Sequence, residues 1–274
     1  MPTDRPLARS LARIDATRDW LEARIRASPI GWLRADRVGV DAGALEVLRR
    51  GALETTGQAD DRSVGIMMMW RYADVAGLGV ALFRDERRVP DLDPAGVAFV
   101  PYTATSPTRV ALASARYLCL ADDPDAAHPD ATPVPDLEAL RDALVRRIEA
   151  FIEPVIEPLA AVTHLGPKAL WGVAASATLA GLARSLADTG SPERAAAEVG
   201  ALLRHARLLA SAPPVVEVVE SGGAPRLLLT LGICCRAYLW PGRAHEKCAT
   251  CPIRPRDDRV ARQLAPVAGM PHAL

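Results

Sequence analysis

The chain has 274 residues, half of them hydrophobic, and its 33 basic side chains balance 33 acidic ones. That length and apolar content can bury a sizeable core in one domain or two small ones. The missing basic excess argues against a nucleic-acid binder.

The N-terminus, MPTDRPLARSLARIDATRDW, is broken by charge throughout and lacks the apolar run of a signal peptide. A cytoplasmic protein is expected, soluble or peripheral to the inner face of the membrane. Leu7, Leu11, Ile14, Leu21 and Ile25 recur at helical spacing and predict one amphipathic helix over residues 5–27. A short helix is expected over 42–53. Ser63 is the expected cap of the next, in which Met67, Met68, Met69, Trp70 and Val75 crowd together. Consecutive apolar residues of this kind read as core rather than as pocket lining. Gly77 and Gly79 weaken this helix, and Pro90 lies beyond its end.

The pattern then changes. Residues 97–100 and 110–120 have the β-branched, alternating character of strands, with Cys119 as a buried thiol. ADDPDAAHPDATPVPD, over 121–136, reads as a loop. Asp136 can cap a long helix with Leu137, Leu140, Leu144, Ile148, Phe151, Ile152 and Val155 on one face. Pro154 and Pro158 should kink or end it. Pro167 opens a second long helix that Gly190 ends, and Ser191-Pro192 starts a third reaching about Ala210. The weakly polar stretch 169–183 is short of the roughly 20 residues a membrane span needs, so no transmembrane segment is expected. The period next returns to two, and PVVEVVES-GGA-PRLLLTLG predicts a hairpin turning at Gly222-Gly223. The fold class is α+β, predominantly helical, with a small antiparallel hairpin leading into a C-terminal cysteine loop.

Four of the five cysteines follow the hairpin as Cys234, Cys235, Cys248 and Cys251, in the pattern C-C-x12-C-x2-C. Zinc takes four thiolates in a tetrahedron, and C-x2-C is a normal half-site for it. A [2Fe–2S] cluster also takes four cysteines, shared between two irons, which suits adjacent side chains that diverge. Disulfides need an oxidising compartment, which nothing at the N-terminus suggests. His245 lies three residues before Cys248 and is a candidate ligand or, with four cysteines present, a loop residue or outer hydrogen-bond donor. His128, His164, His205 and His272 have no metal-site spacing. Trp240 stands where it can shield the site from water. Between residues 232 and 262, seven basic residues face three acidic ones. They are Arg236, Arg243, Lys247, Arg254, Arg256, Arg259 and Arg262. They form either a solvated surface or a field that stabilises an anionic centre and steers an acidic electron donor such as a ferredoxin. No dinucleotide, phosphate-loop or zinc-protease motif is present, so electrons must come from a partner or a reductant.

The cysteine pattern, the Pro241-Gly242 turn between its pairs and Pro252 after the last cysteine resemble the FhuF-like ferric-siderophore reductases, whose mark is C-C-x10-C-x2-C. Here the connection is two residues longer, which costs little in loop closure. SVGIMMMWRYADVAGLGVALF and ALWGVAASATLAGLARSL also look like that family. The resemblance implies a [2Fe–2S] cluster on Cys234, Cys235, Cys248 and Cys251 and reduction of siderophore-bound Fe(III) to Fe(II). It implies no catalytic residue beyond the cluster. Residues 1–231 would form the siderophore-binding region and 232–274 the cluster-binding segment. The alternatives are a zinc-knuckle binding protein without enzymatic activity and an iron–sulfur regulatory sensor.

Overall fold

The computed structural model describes residues 5–17, 21–57, 60–101, 107–188, 190–242 and 246–265. Its first helix, α1 (Pro6–Thr17), buries Leu7, Leu11 and Ile14. It stops at Thr17, whose hydroxyl donates back to the Arg13 and Ile14 carbonyls. The single helix expected over 5–27 is therefore a helix followed by strand β1 (Leu21–Ile25). Leu21 and Ile25 are four residues apart, a spacing that satisfies both a helix and a strand. The period-two burial of Leu21 and Ala23 decides for the strand, and the Ala23 N–H is held by Asp15 at 2.9 Å.

Strand β2 (Leu33–Arg34) and the short α2 (Ala35–Val38) lead to α3 (Ala42–Thr56), which Asp41 caps by accepting from Gly43 and Ala44. Helix α4 (Asp61–Glu86) is the axis of the fold and is buried on nearly every side. Its cap is Asp60 rather than Ser63, which sits in the first turn and donates its hydroxyl to Asp60 at 2.8 Å. Met67, Met68 and Met69 are core residues. The helix runs straight past Gly77 and Gly79, because its packing outweighs their poor propensity.

The strands that follow are β3 (Val89–Pro90), β4 (Val97–Val100), β5 (Thr108–Leu112), β6 (Tyr117–Leu120) and β7 (Ala131–Val134). They form one sheet in the order β1-β5-β4-β2 and another in the order β3-β6-β7. The single strand expected over 110–120 is thus split, with its halves in different sheets. The loop expected over 121–136 contains β7, an edge strand, where Pro133 costs no ladder bond. Arg88, 3 % exposed, joins this region to α1 through Asp123 (2.6 and 2.8 Å), Asp125 (2.6 Å) and Ser10 (3.0 Å).

Helix α5 (Leu137–Thr163) starts at the expected cap, Asp136, and runs through both prolines. Proline at 158 leaves the Pro154 carbonyl without its helical partner. Gly39 backs onto that oxygen so closely that a Cβ there would lie 2.5 Å from it. Tyr72 of α4 stacks on Phe151 at 4.8 Å and donates its hydroxyl to the Phe151 carbonyl at 3.1 Å. The next long helix appears as α6 (Pro167–Ala175), a π-helical turn (Ser176–Ala180) and α7 (Gly181–Asp188). Helix α8 (Pro192–His205), capped by Ser191, ends earlier than expected. A short 3-10 turn, Leu209–Ser211, follows it, because the Glu149 carboxylate takes the Arg207, Leu208 and Leu209 N–H groups at 2.9, 2.7 and 3.0 Å.

Strands β8 (Val215–Ser221) and β9 (Ala224–Thr230) form the expected hairpin, and its two turn glycines have φ of 63° and 76°. Those values fit the tight turn that matches strand twist. Helix α9 (Arg256–Leu264) closes the described chain. The architecture is predominantly helical α+β with small sheets, as the sequence patterns predict. Two helical stretches, Asp61–Glu86 and Pro167–Ala187, are long and apolar enough to cross a membrane by length and composition. Their most apolar windows are 83 % and 72 % buried within the fold, as core helices are.

Candidate metal centre

The cysteine segment is fixed to the body from its first residue. Leu231 continues β9 and donates its N–H to the Thr250 carbonyl at 3.0 Å, which brings the second cysteine pair beside the hairpin. The Gly232 N–H bonds Ser176 Oγ in the π-helical turn at 3.1 Å. A Cβ at 232 would lie 2.8 Å from the Ala212 carbonyl carbon and closer still to its oxygen. A Cβ on Gly172 of α6 would meet Ile233 at 2.5 Å. Both glycines are therefore close-approach positions, and the C-C pair is pressed onto α6 and its π turn. Cys235 and Trp240 are buried in the main hydrophobic core.

Arg236 adopts the left-handed conformation, φ 60°. Its N–H lies 3.4 Å from Cys234 Sγ, and its guanidinium reaches back to Ser63 (3.3 Å) and Asp60 (3.2 Å) at the start of α4. Burial pushes the Asp60 carboxyl up, but the Ser63 hydroxyl and Arg236 outweigh this and hold it below its ordinary range. Pro241 rests near Gly57, which ends α3 in the left-handed conformation. His245 and Arg243 lie outside the described residues.

The second pair is a tight turn closed by the Cys251 N–H on the Cys248 carbonyl at 3.1 Å. Cys251 is buried, Cys234 is half-buried and Cys248 is exposed. All five cysteines are free thiols. Cys251 and Cys234 sulfurs are 3.4 Å apart, far beyond the roughly 2.05 Å of a disulfide. Cys248 accepts a hydrogen bond from Cys235 and lies beside Cys251. The four sulfurs thus lie close together, with Cys234 also acting on both Cys235 and Cys251. The Cys235 thiol donates to Cys248 and lowers it to about 6. Giving that hydrogen bond, together with burial, raises Cys235, and burial raises Cys251 to about 12.

Among the described residues, no three His, Cys, Asp or Glu side chains close around a single metal position. The soft sulfur chemistry of four cysteines fits iron–sulfur or zinc rather than magnesium or calcium. Were all four to ionise in so small a space, the thiolates would need positive charge among them. Among the described residues, the two nearest arginines are engaged elsewhere. Arg236 is held by Asp60 and Ser63, while Arg254, 6 % exposed, binds the Cys248 carbonyl at 3.1 Å, the Lys247 carbonyl and Asp258.

This changes the reading of the basic patch. Arg254 is internal, Arg256 pairs with Glu217 (3.2 Å), Arg259 donates to the Arg254 carbonyl (2.9 Å), and Arg262 pairs with Asp258 and Glu246. Arg254 thus builds the segment from inside, while Arg256 and Arg262 stay exposed with acidic partners. Sequence reasoning missed the outer supports, Ser176, Asp60 and Gln263. Gln263 bonds Leu229 and Ala249 from α9. A hollow of about 740 Å³, lined by Arg9, Arg13, Glu86, Arg88, Asp123 and Asp125 among others, lies at the far end of α4. The 26 residues of that helix put it about 39 Å from the Asp60 end. It is too remote to serve the cysteines.

No protein-family model matches the chain, and no curated protein matches it. What fold and site define together is a helix-dominated α+β protein with a C-terminal four-thiol centre.

Asp60→Ala is expected to lower stability by about 1 kcal/mol through loss of the α4 cap. It should also free Arg236 beside Cys234. Because the Asp60 carboxyl is held low in the fold, its contribution is fully present above the ordinary carboxylate pKa of about 3.9 and is lost as pH falls through the lowered value. Denaturant titrations at pH 7 and pH 3 check this: the difference between variant and wild type should shrink at the lower pH.

Proposed function

We propose that this protein is a one-electron reductase of ferric siderophores and that Cys234, Cys235, Cys248 and Cys251 hold a [2Fe–2S] cluster. The observation that carries the reading is the close grouping of four cysteine sulfurs brought together from two short segments. The likeness of the motif to FhuF-like reductases supplies the substrate class. When bound, such a cluster would supply electrons one at a time. Fe(III) is a hard acid that siderophores hold through charged oxygens, and Fe(II) is held far less tightly, so one electron per iron releases the metal.

The chain's own groups have separate tasks. Cys235 and Trp240 lie in the core and exclude water from one side of the centre. The Arg236 N–H pointing at Cys234 Sγ stabilises added negative charge there, which raises a reduction potential. Cys248 is the exposed corner, where a ferric chelate and an acidic donor such as a ferredoxin would approach. Residues 1–231 would orient the siderophore, in the cytoplasm or at the inner face of the membrane.

The test is a single-turnover reaction without oxygen. Reduced protein is mixed with a ferric siderophore and a colorimetric ferrous chelator. One Fe(II) should appear per electron stored, with loss of the reduced protein's paramagnetic signal. A coloured protein that keeps its electrons in the presence of several ferric siderophores would favour the sensor reading. A colourless zinc protein would leave the zinc knuckle.

A further inference from the structure

Helix α9 buries no residue. A helix of nine residues whose apolar Val260 and Leu264 are only half-buried gains little from its own propensity or from apolar packing. It is held by polar links, and those links converge on the turn that carries Cys248 and Cys251.

That turn is neither helix nor strand, so its carbonyls need partners from elsewhere. Each of four consecutive ones has a donor. The Lys247 carbonyl accepts from Arg254, and the Cys248 carbonyl accepts from Arg254 Nε at 3.1 Å as well as from the Cys251 N–H. The Ala249 carbonyl accepts from Gln263 Nε2 at 3.0 Å, and the Thr250 carbonyl accepts from the Leu231 N–H at 3.0 Å. Gln263 also treats Leu229 as a strand partner would. Its Oε1 accepts the Leu229 N–H at 2.8 Å and its Nε2 donates to the Leu229 carbonyl at 3.0 Å. Only a carboxamide offers donor and acceptor together in this way. Arg254 is buried, and its charge is met by Asp258 in the first turn of α9.

We propose that Arg254 and Gln263 are positioning residues for the second cysteine pair. They clamp β9, the Cys248–Cys251 turn and α9 into one unit and so set where the two sulfurs stand opposite Cys234 and Cys235. Neither has a hydrogen bond to a sulfur; each acts through the backbone. The consequence for metal retention rests on reading the four cysteines as a metal centre. The mechanical part does not.

The experiment uses the full chain with Gln263→Ala, Gln263→Glu and Arg254→Lys, and two readouts. The first is amide hydrogen exchange of the metal-free proteins. Gln263→Ala should speed exchange over 248–254 roughly tenfold or more, because several hydrogen bonds of a locally weak segment are lost. Amides of α4 and α5, and the global unfolding midpoint, should stay at wild-type values. Gln263→Glu, which keeps the acceptor and loses the donors, should fall between. The second readout is the rate at which loaded protein gives up its metal to a chelator. It should rise in the same order, with Arg254→Lys, which retains one donor group, milder than Gln263→Ala. Unchanged exchange over 248–254 in Gln263→Ala overturns the clamp. Faster exchange with unchanged metal release overturns the positioning role. A wild type that takes up neither iron nor zinc overturns the metal centre itself, and the exchange comparison then decides whether the clamp stands.

Discussion

Cys251→Ser should lose the visible chromophore and bring bound iron and sulfide to background, and Cys234→Ser should do the same. These two sulfurs are in contact at 3.4 Å across the two segments. Removing either leaves three thiolates, and a serine hydroxyl, with a far higher pKa than a thiol, is a poor substitute at neutral pH. Cys251 is buried, so no outside ligand can easily take its place. Cys119→Ala is the control. Its thiol is buried in β6, burial raises its pKa, and it lies apart from the four grouped sulfurs. That variant should keep full colour. Iron and sulfide analysis of the three purified variants checks the set. Retained iron in Cys251→Ser would remove it from the ligand set.

Gly232→Ala should be the most damaging single-methyl change near the site. The added Cβ would meet backbone, 2.8 Å from the Ala212 carbonyl carbon and 3.0 Å from that of Pro213, so no flexible side chain can move aside. Overpacking of this kind costs about 1–3 kcal/mol, occasionally more. At the upper end the melting temperature should fall by roughly 6–12 °C for a chain of this size. The same shift would pull the Gly232 N–H away from Ser176 and displace the cysteines two and three residues on. Reduced cluster content should accompany the lost stability. Gly200→Ala is the opposite case. It lies inside α8 with open space around the new Cβ, and alanine is the better helix former by about 1 kcal/mol. Thermal melts of the two variants should move in opposite directions.

The sequence was most legible where one periodicity or one turn chemistry acted alone. Asp136 before an apolar helical face, Ser191-Pro192, and Gly222-Gly223 between alternating strands all do in the fold what their chemistry suggests. It misled where a pattern fitted two structures, as with Leu21 and Ile25. Local rules also failed where tertiary packing supplied what they lacked: α5 passes Pro154 and Pro158, and α4 passes Gly77 and Gly79. The cysteine motif located the candidate site, because spacing in sequence is the signal. Its supports were hidden, because they come from chain positions far away. Asp60 is 176 residues from Arg236, and Ser176 is 56 from Gly232. Composition did not separate Arg254, which is an internal tie, from Arg256, which stays exposed beside Glu217.

The central claim is that the four sulfurs hold two irons bridged by sulfide. It is tested most directly by purifying the protein without oxygen and measuring iron, acid-labile sulfide and zinc per chain. The account predicts about two irons and about two sulfides per chain, with little zinc. One zinc per chain with no sulfide would contradict it.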